Sequence, residues 1–361
     1  MTDRTGRPTG GAAAVTCQVE PLEARQLLSA TFFTQHNLVS DGAVPADRVD
    51  KNLVNPWGLA SDTPGPLWVA NNGTNTATLY DFDTGAPKPL VVHIKGHAGG
   101  DEDPTGEVYN EAEGSFVVKA NGKSGPAAFL FAGEDGTVSA WAPTVDKDNT
   151  ILVADRSNVG AVYKGLTQAE FGHKTMLYAT DFANGRVDVF DENFKRVTKI
   201  GNFLDPKVPK DFHPFGIQEI DGNVVVTYAK HVPGDNDEAH GAGFGYATVF
   251  NGSGRILRRL QHVSQLNAPW GVAKAPASWG KFAGHLLVGN FGNGDIVAFD
   301  PKTGHSDGTL NDTKGKPIIN DGLWGLRFGN DAKSKDTLFL SAGINDEADG
   351  LLADLTIHKG T

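Results

Sequence analysis

The stretch NAPWGVAKAPASWGKFAGHLLVGNFGNGDIVAFDP, residues 267–301, contains three short apolar segments separated by turns rich in glycine, asparagine and aspartate. The segments are APWGVA, LLVGNF and GDIVAFD, and their content of valine, isoleucine and phenylalanine is typical of β-strands. No helical periodicity connects them. The stretch therefore predicts consecutive antiparallel strands joined by tight turns.

The same unit is repeated along the chain. The copies open on NPWGLA, EAEGSF, VYKGLT, HPFGIQ, APWGVA and GLWGLR, with their glycines at Gly58, Gly114, Gly165, Gly216, Gly271 and Gly325. Strand-rich copies that recur roughly every 50 residues are typical of propeller blades, and glycine suits innermost strands that converge on an axis. The tryptophans Trp57, Trp270 and Trp324 are expected to pack between blades. We therefore predict an all-β fold, a six-bladed β-propeller formed by residues 31–361.

The last copy ends after three strands, whereas a segment with strand character, ATFFTQHNLV (30–39), precedes the first copy. We predict that this N-terminal strand completes the last blade and closes the ring, because closure leaves no unpaired edge. Fainter fourth strands are predicted at PLVVHI (89–94), RVTKIG (196–201) and GRILRRL (254–260). Because the second copy lacks a Trp-Gly pair, five or seven blades are the alternatives.

Composition narrows the classes of partner. The chain has 361 residues and a net charge of −11, which argues against a nucleic-acid partner and an anionic membrane surface. No run of about 18 apolar residues is present, so no transmembrane anchor is expected. Cys17 is the single cysteine, so the predicted propeller has no disulfide and no thiol nucleophile. A small molecule, a cation or another protein remains as the partner, and we expect a monomer.

Residues 1–30 lack strand alternation, and their Ala/Val stretch is shorter than the apolar region of a standard signal peptide. We expect a disordered export or targeting segment there. Its end, VEPLEARQLLSA (19–30), resembles the LEpRxLLSA stretch of the planctomycete extracellular motif. The matching residues are Leu22, Glu23, Arg25, Leu27, Leu28, Ser29 and Ala30. The resemblance implies an exported protein, extracellular or associated with the cell surface; a leader without that role is the alternative.

The order of motifs along the chain carries a second resemblance. The motifs include NPWGLA, AEGSFVV, AAFLFAGEDGTVSAWAP, LYATDFANGRVDVFD, HPFGIQ, LNAPWGVA, LLVGNFGNGDIVAFDP and DGLWGL. In this order they resemble an uncharacterised family of exported bacterial six-bladed propellers, similar to the NHL and SMP-30 types, many of which carry a PEP-CTERM sorting tail. The resemblance implies the fold but no established activity. This chain ends in LTIHKGT instead of a sorting tail, so we expect it to be released or surface-associated.

In a propeller, second strands end and innermost strands begin at one mouth of the central channel, which we call the mouth face. The predicted ligand-binding residues there are Asn55, Asn71, Glu134, Asn290 and Asp321, and Glu111 and His213 are also expected at strand starts. Oxygen atoms of Asp181, Asn71 and Asn290 form a candidate site for Ca²⁺ or another divalent cation. The alternative is that these side chains stabilise turns by bonding their own backbone.

His213, His231 and Lys230 are catalytic candidates on the same face. Histidine can act as a general base near neutral pH, but the nucleophile and metal motifs GxSxG and HExxH are absent. Lys230 is expected to be the one cation of the ring and to balance nearby carboxylates. The acidic insertion HVPGDNDEAHGAGFG (231–245) is expected to be a solvated loop, or alternatively a lid or cation clip.

Three functions are compatible with these residues. The leading hypothesis is an exported module that binds a ligand or a protein without a chemical step, because a strong scaffold pattern lacks a catalytic signature. The first alternative is a metal-dependent hydrolase or lactonase similar to SMP-30 propellers, with a divalent ion at Asp181 polarising a carbonyl group. The second alternative is an assembly scaffold on the cell surface. The sequence leaves open whether the protein is an enzyme.

Overall fold

The structure is a computed structural model that describes residues 31–100 and 102–358. Cys17 and the predicted export segment lie outside the described residues. Regular structure in the described part is almost entirely β, and the helical elements there are single 3₁₀ turns at Asn72–Thr74, His97–Gly99, Ser157–Val159 and Gly280–Phe282. No helix in this part is long and apolar enough to span a bilayer.

The strands form six successive blades, as the sequence predicts. The chain begins with β1 (Phe33–Ser40) and β2 (Arg48–Val49). Blade 1 contains β3 (Pro56–Ala60), β4 (Leu67–Asn71), β5 (Thr76–Tyr80) and β6 (Pro87–His93). Blade 2 contains β7 (Pro104–Tyr109), β10 (Phe129–Gly133), β11 (Thr137–Trp141) and β12 (Ile151–Asp155), with an inserted hairpin of β8 (Val117–Ala120) and β9 (Lys123–Pro126). Blade 3 contains only β13 (Tyr163–Phe171), β14 (Lys174–Asp181) and β15 (Arg186–Phe190).

The second half of the chain repeats the pattern. Blade 4 contains β16 (Phe212–Ile220), β17 (Asn223–His231), the short β18 (Glu238–Ala239), β19 (Gly245–Phe250) and β20 (Ile256–Arg259). Blade 5 contains β21 (Pro269–Lys274), β22 (Leu286–Asn290), β23 (Ile296–Phe299) and β24 (Ser306–Thr309). Blade 6 contains β25 (Leu323–Phe328), β26 (Leu338–Ala342) and β27 (Leu351–Ile357), and is completed by β1 and β2.

One glycine in each innermost strand explains the repeat. A Cβ atom added at Gly58, Gly106, Gly165, Gly216, Gly271 or Gly325 would lie only 2.0 to 2.9 Å from the innermost strand of the next blade. The last contact returns to the first blade, since a Cβ at Gly325 would lie 2.5 Å from the carbonyl oxygen of Trp57. Six blades therefore close the ring, and a side chain at any of these positions would force neighbouring strands apart.

The opening glycine of blade 2 is Gly106, so the sequence-based choice of Gly114 is wrong. Gly114 lies in the loop after β7. The innermost strand was hidden because Thr105 and Glu107 flank its glycine, whereas four of the other five copies carry an aromatic residue before the glycine and all five carry an apolar residue after it. The correction also moves Glu111, which follows the far end of β7 and lies at the face opposite to the mouth.

Closure by the N-terminal strand is confirmed. β1 pairs antiparallel with β27, from Phe33 opposite Ile357 to Ser40 opposite Leu351. The Phe33 ring packs 4.7 Å from the Trp279 ring, inside a core shared by the last two blades. The two ends of the propeller are therefore joined by backbone hydrogen bonds and by apolar burial.

The predicted fourth strands have different outcomes. PLVVHI and GRILRRL correspond to β6 and β20, whereas RVTKIG is not a strand. The backbone of Arg196 forms only an isolated β-bridge with Phe190. Its side chain pairs with the buried Asp188, with Nε 2.7 Å from Oδ1. The third blade therefore lacks a fourth strand.

Candidate ligand site at the mouth of the channel

The residue before each inner glycine points to the axis of the propeller. In chain order these residues are Trp57, Thr105, Lys164, Phe215, Trp270 and Trp324. The Trp57 and Trp324 rings stack with centroids 3.3 Å apart, and Trp270 stands at 5.9 Å from both. Blades 1 and 5 are not neighbours, so the Trp57–Trp270 contact places these rings on the axis. We call this set the axial layer. The expectation that the three tryptophans pack between blades is therefore wrong.

Lys164 is the cation of the axial layer. Its side chain is only 1% exposed, and its Nζ atom lies 5.3 Å from the centre of the Trp57 ring. Nζ donates to Glu134 Oε1 at 2.5 Å and to Asp237 Oδ1 at 3.0 Å. Burial alone would lower the pKa of Lys164, but the carboxylates of Glu134, Glu238 and Asp237 outweigh it and raise that pKa. Lys164 therefore remains an ammonium beneath the mouth.

A chain of buried amides links this ion pair to the other side of the mouth. Asn72 Nδ2 donates to Glu134 Oε2 at 2.9 Å. Asn55 Nδ2 donates both to Asn72 Oδ1 at 3.2 Å and to Glu347 Oε2 at 2.6 Å. Trp324 Nε1 donates to Asn55 Oδ1 at 3.0 Å, so the axial layer supports the amides from below. These contacts fix the position of each polar group before any ligand arrives.

Glu347 contributes a carboxyl group that titrates near neutral pH. It lies on the loop between β26 and β27, where Asn345, Asp346 and Glu347 all have positive φ angles between 52° and 65°. Burial is the main cause that raises the pKa of Glu347 to about 7, and the charges of Glu238 and Glu134 add to it. The hydrogen bond from Asn55 and the charge of Lys164 oppose the increase without cancelling it.

The insertion at residues 231–245 reaches over the mouth. Within it, β18 pairs with the end of β17, through Glu238 opposite His231. Asp237 contacts Lys164, and the Glu238 side chain is only 3% exposed. The insertion is therefore anchored to the channel by an ion pair. We call the set formed by Asn55, Asn72, Glu134, Lys164, Asp237, Glu238 and Glu347 the mouth network.

The predicted ligand-binding residues fall into two groups. Asn55 and Glu134 belong to the mouth network. Asn71 donates instead to Thr76 Oγ1 and Thr78 Oγ1, and Asn290 Nδ2 donates to Asp295 Oδ1 at 2.7 Å. Asp321 is exposed and lies outside the network.

Asp181 is engaged within its own blade. It accepts hydrogen bonds from Asn184 Nδ2 and from the Val162 N–H, and it lies 3.0 Å from Arg186 Nη2. Burial raises the pKa of Asp181, against the effect of Asn184 and Arg186. Within residues 31–100 and 102–358, no group of three His, Cys, Asp or Glu side chains could hold a metal ion. A cation at Asp181, Asn71 and Asn290 stays a prediction, and it would have to replace these hydrogen bonds.

The catalytic candidates lie beside the mouth network. The His213 and His231 rings stack at 4.2 Å, and His213 Nδ1 lies 2.6 Å from the Phe182 carbonyl oxygen. Burial, and then the charge of His213, lower the pKa of His231. Lys230 Nζ is 3.8 Å from Asp211 and 4.4 Å from the Phe244 ring centre. The expectation that Lys230 is the one cation of the ring is therefore wrong, since Lys164 binds Glu134.

Sequence reasoning did not single out Lys164 or Glu347, and it considered Asp237 and Glu238 only as part of the acidic insertion at residues 231–245. A usable signal was present for Lys164, because it occupies the position before the inner glycine at which four other copies carry an aromatic residue. Glu347 and Asp237 lie on loops of different blades, so no spacing along the chain connects them.

No protein-family model matches the chain. Two uncharacterized proteins of Acanthamoeba polyphaga mimivirus match nearly all of it. One is 32% identical over 352 residues, which span 96% of this chain and 85% of the relative. The chain belongs to their family. The second relative is 31% identical and is covered to 90% of its length, so the family extends over the whole propeller.

Solved structures with the same architecture include three enzymes. Virginiamycin B lyase from Staphylococcus aureus has a TM-score of 0.53 at 13% identity, over 91% of this chain and all of the lyase. The soluble aldose sugar dehydrogenase of Escherichia coli has a TM-score of 0.54 at 13% identity, over 90% of this chain and all of that enzyme. A gluconolactonase from Xanthomonas campestris has a TM-score of 0.52 at 13% identity, over 85% of this chain and 87% of that enzyme. These likenesses confirm the β-propeller fold, and the similarity to the NHL and SMP-30 types stays a prediction. Membership in the sorting-tail family stays a prediction.

Proposed function

We propose that the protein is an exported propeller that binds a small molecule with a cationic group at the mouth network, without a chemical step. One observation carries the proposal. A single ammonium, that of Lys164, is shared among four carboxyl groups, those of Glu134, Asp237, Glu238 and Glu347. Negative charge therefore exceeds positive charge in a partly buried site, and a ligand cation would compensate it.

The aromatic surroundings favour an organic cation. Phe291 stacks on Trp324 at 4.0 Å, and His240 packs edge-on against Phe291 at 5.0 Å. Aromatic faces beside carboxylates are how proteins recognise quaternary ammonium groups. The hydrogen bond to Glu238 raises the pKa of His240, so this side chain adds to the charge balance at low pH. A ligand cation would compete with protons for Glu347, and binding should strengthen as the pH rises through 7.

Calorimetric titration with choline at pH 6 and pH 8 tests this proposal. We expect tighter binding at pH 8, and a loss of roughly tenfold in Glu347→Gln, as for one charged hydrogen bond. The exposed Glu113→Gln is the matched control and should bind as the wild type does. Absence of choline binding at both pH values, or equal affinity in Glu347→Gln, would contradict the proposal.

A second candidate function, hydrolysis of a lactone, is favoured by the stacked histidines. His213 borders a groove of about 510 Å³ whose wall also includes Asn184, Leu204 and Phe212. The lowered pKa of His231 favours its neutral imidazole, which can accept a proton. Among the structural neighbours are a gluconolactonase and a virginiamycin B lyase that loses catalysis in a histidine-to-alanine variant.

Turnover of gluconolactone, with and without calcium, tests this candidate. We expect His231→Gln to lose the activity and the exposed His305→Gln to keep it. The metal-dependent form further requires a calcium-binding heat that disappears in Asp181→Ala. No turnover of gluconolactone under either condition would remove the hydrolase and leave the binding module.

A further inference from the structure

Three arginines converge on one buried carboxylate in blade 3. Arg186 Nε and Arg196 Nε donate to Asp188 Oδ1 at 3.0 and 2.7 Å. Arg156 Nε lies 3.7 Å from Asp188 Oδ2. Arg156 follows the last strand of blade 2, whereas Arg186 begins β15 and Arg196 follows it. The same carboxylate therefore holds Arg186 and Arg196 by hydrogen bonds through Nε, and it attracts the guanidinium of Arg156 by charge without a hydrogen bond.

The aspartates do not neutralise this cluster. Asp188 and Asp181 have side chains that are 0% exposed, and Arg186 Nη2 also lies 3.0 Å from Asp181 Oδ2. Three guanidinium charges thus face two carboxylates, and a guanidinium keeps its charge at any working pH. The cluster has one excess positive charge in a protein whose net charge is −11.

The guanidinium groups also keep donors available. The side chains of Arg156, Arg186 and Arg196 are 25%, 27% and 33% exposed. The Nη atoms of Arg156 and Arg196 have no protein partner among the described residues. Blade 3 has no regular fourth strand, and the segment after β15 bonds to that strand through the Val197 N–H and the Asn202 carbonyl oxygen. A guanidinium group is a planar fork of donors, and its free Nη donors can bind two oxygens of a phosphate or sulfate group.

We propose that Arg156 and Arg196, oriented by Asp188, form a binding site for a phosphate or sulfate group at the edge of blade 3. The site is separate from the mouth network and has the opposite ligand charge. A phosphate or sulfate group would accept hydrogen bonds from both arginines at once.

Calorimetric titrations with inorganic phosphate and with sulfate, at constant ionic strength and pH 7.5, test the site. We expect binding to one site, and a loss of about tenfold or more in Arg196→Gln, since one charged donor pair disappears. Arg196→Lys should recover only part of the affinity because it keeps the charge without the fork. The matched control is Arg255→Gln, an exposed arginine outside the cluster, which should bind as the wild type does.

A second readout separates binding from folding. Added phosphate should raise the melting temperature of the wild type and of Arg255→Gln, and should do so less in Arg156→Gln, which leaves Arg186 and Arg196 on Asp188. The anion that binds more tightly identifies the source as a phosphate or a sulfate ester. A flat titration of the wild type with both anions, or unchanged affinity in Arg156→Gln and Arg196→Gln, overturns the proposal and leaves an ion-pair network that only stabilises the fold.

Discussion

Lys164 occupies in blade 3 the position that Trp57 occupies in blade 1, and its ammonium lies 5.3 Å from the centre of the Trp57 ring. The Trp270 indole fixes the Lys164 backbone from the other side, since Nε1 donates to the Lys164 carbonyl oxygen at 2.6 Å. A repeat position that holds an aromatic ring in four other blades thus holds a charge in blade 3. The axial layer therefore presents the ammonium of Lys164 beneath the mouth network.

Replacing the positive charge of Lys164 should lower the free energy of unfolding. Lys164→Met leaves Glu134 and Asp237 without their ammonium, and breaking a largely buried ion pair costs about 3 kcal/mol. We expect a fall of that order in the free energy of unfolding, measured by urea denaturation. Lys164→Met with Glu134→Gln should recover part of the loss. The exposed Lys302→Met serves as the control, and an equal effect of both single variants would contradict the assignment.

The position after the inner glycine also has one exception. The residues there are Leu59, Glu107, Leu166, Ile217, Val272 and Leu326. Both carboxyl oxygens of Glu107 are buried without a hydrogen-bond partner of ordinary geometry. Burial raises its pKa well above 4.5, and the charge of Arg327 and the backbone of Ala70 oppose this only in part. Glu107 also lines a cavity of about 90 Å³ at the face opposite to the mouth.

Glu107 should therefore make stability depend on pH. Its pKa is higher in the folded than in the unfolded chain, so its contribution is most favourable below 4.5 and is lost as the pH rises above that value. We expect Glu107→Leu to raise the free energy of unfolding at pH 8 by roughly 1 to 3 kcal/mol. The advantage should vanish near pH 4. Chemical denaturation at both pH values, with Glu113→Gln as control, measures it.

The inner glycines should tolerate no side chain. A Cβ at position 216 would lie 2.0 Å from the Trp270 carbonyl oxygen, whereas nothing lies within 4 Å of one at Gly172. Gly216→Ala should cost about 3 kcal/mol or more, because two innermost strands must separate. Gly172→Ala, at a φ of +59°, should cost about 1 kcal/mol for backbone strain alone. Thermal unfolding of both variants checks the order, and equal melting temperatures would refute it.

The closing strand gives a separate test of the fold. Phe33 is 1% exposed, whereas Phe171 is 39% exposed at the end of β13. Phe33→Ala should cost about 3 to 5 kcal/mol, and Phe171→Ala less than about 1 kcal/mol. Limited proteolysis should also cleave Phe33→Ala faster, since loss of β1 exposes the edge of β27 in blade 6. Similar stabilities of the two variants would contradict closure by β1.

Repetition made the fold predictable from the sequence. The glycines at positions 58, 165, 216, 271 and 325 were recognised because each must stand where innermost strands touch. The strand pattern after each one follows from alternation and turns. Blade 2 was misplaced because its glycine is flanked by Thr105 and Glu107. The predicted fourth strand of blade 3, at residues 196–201, was wrong because the ion pair between Arg196 and the buried Asp188 outweighed strand propensity.

The sequence by itself determined the six blades and their closure by the N-terminal strand, because periodic glycines and alternating apolar residues report contacts that recur in every copy. It also placed Asn55 and Glu134 on the mouth face. Only the tertiary structure decided that Lys164 meets Glu134 and Asp237, and that Asn55 meets Glu347. Those residues lie on different blades, and their burial and charge balance arise only when the ring closes and brings distant loops to one axis.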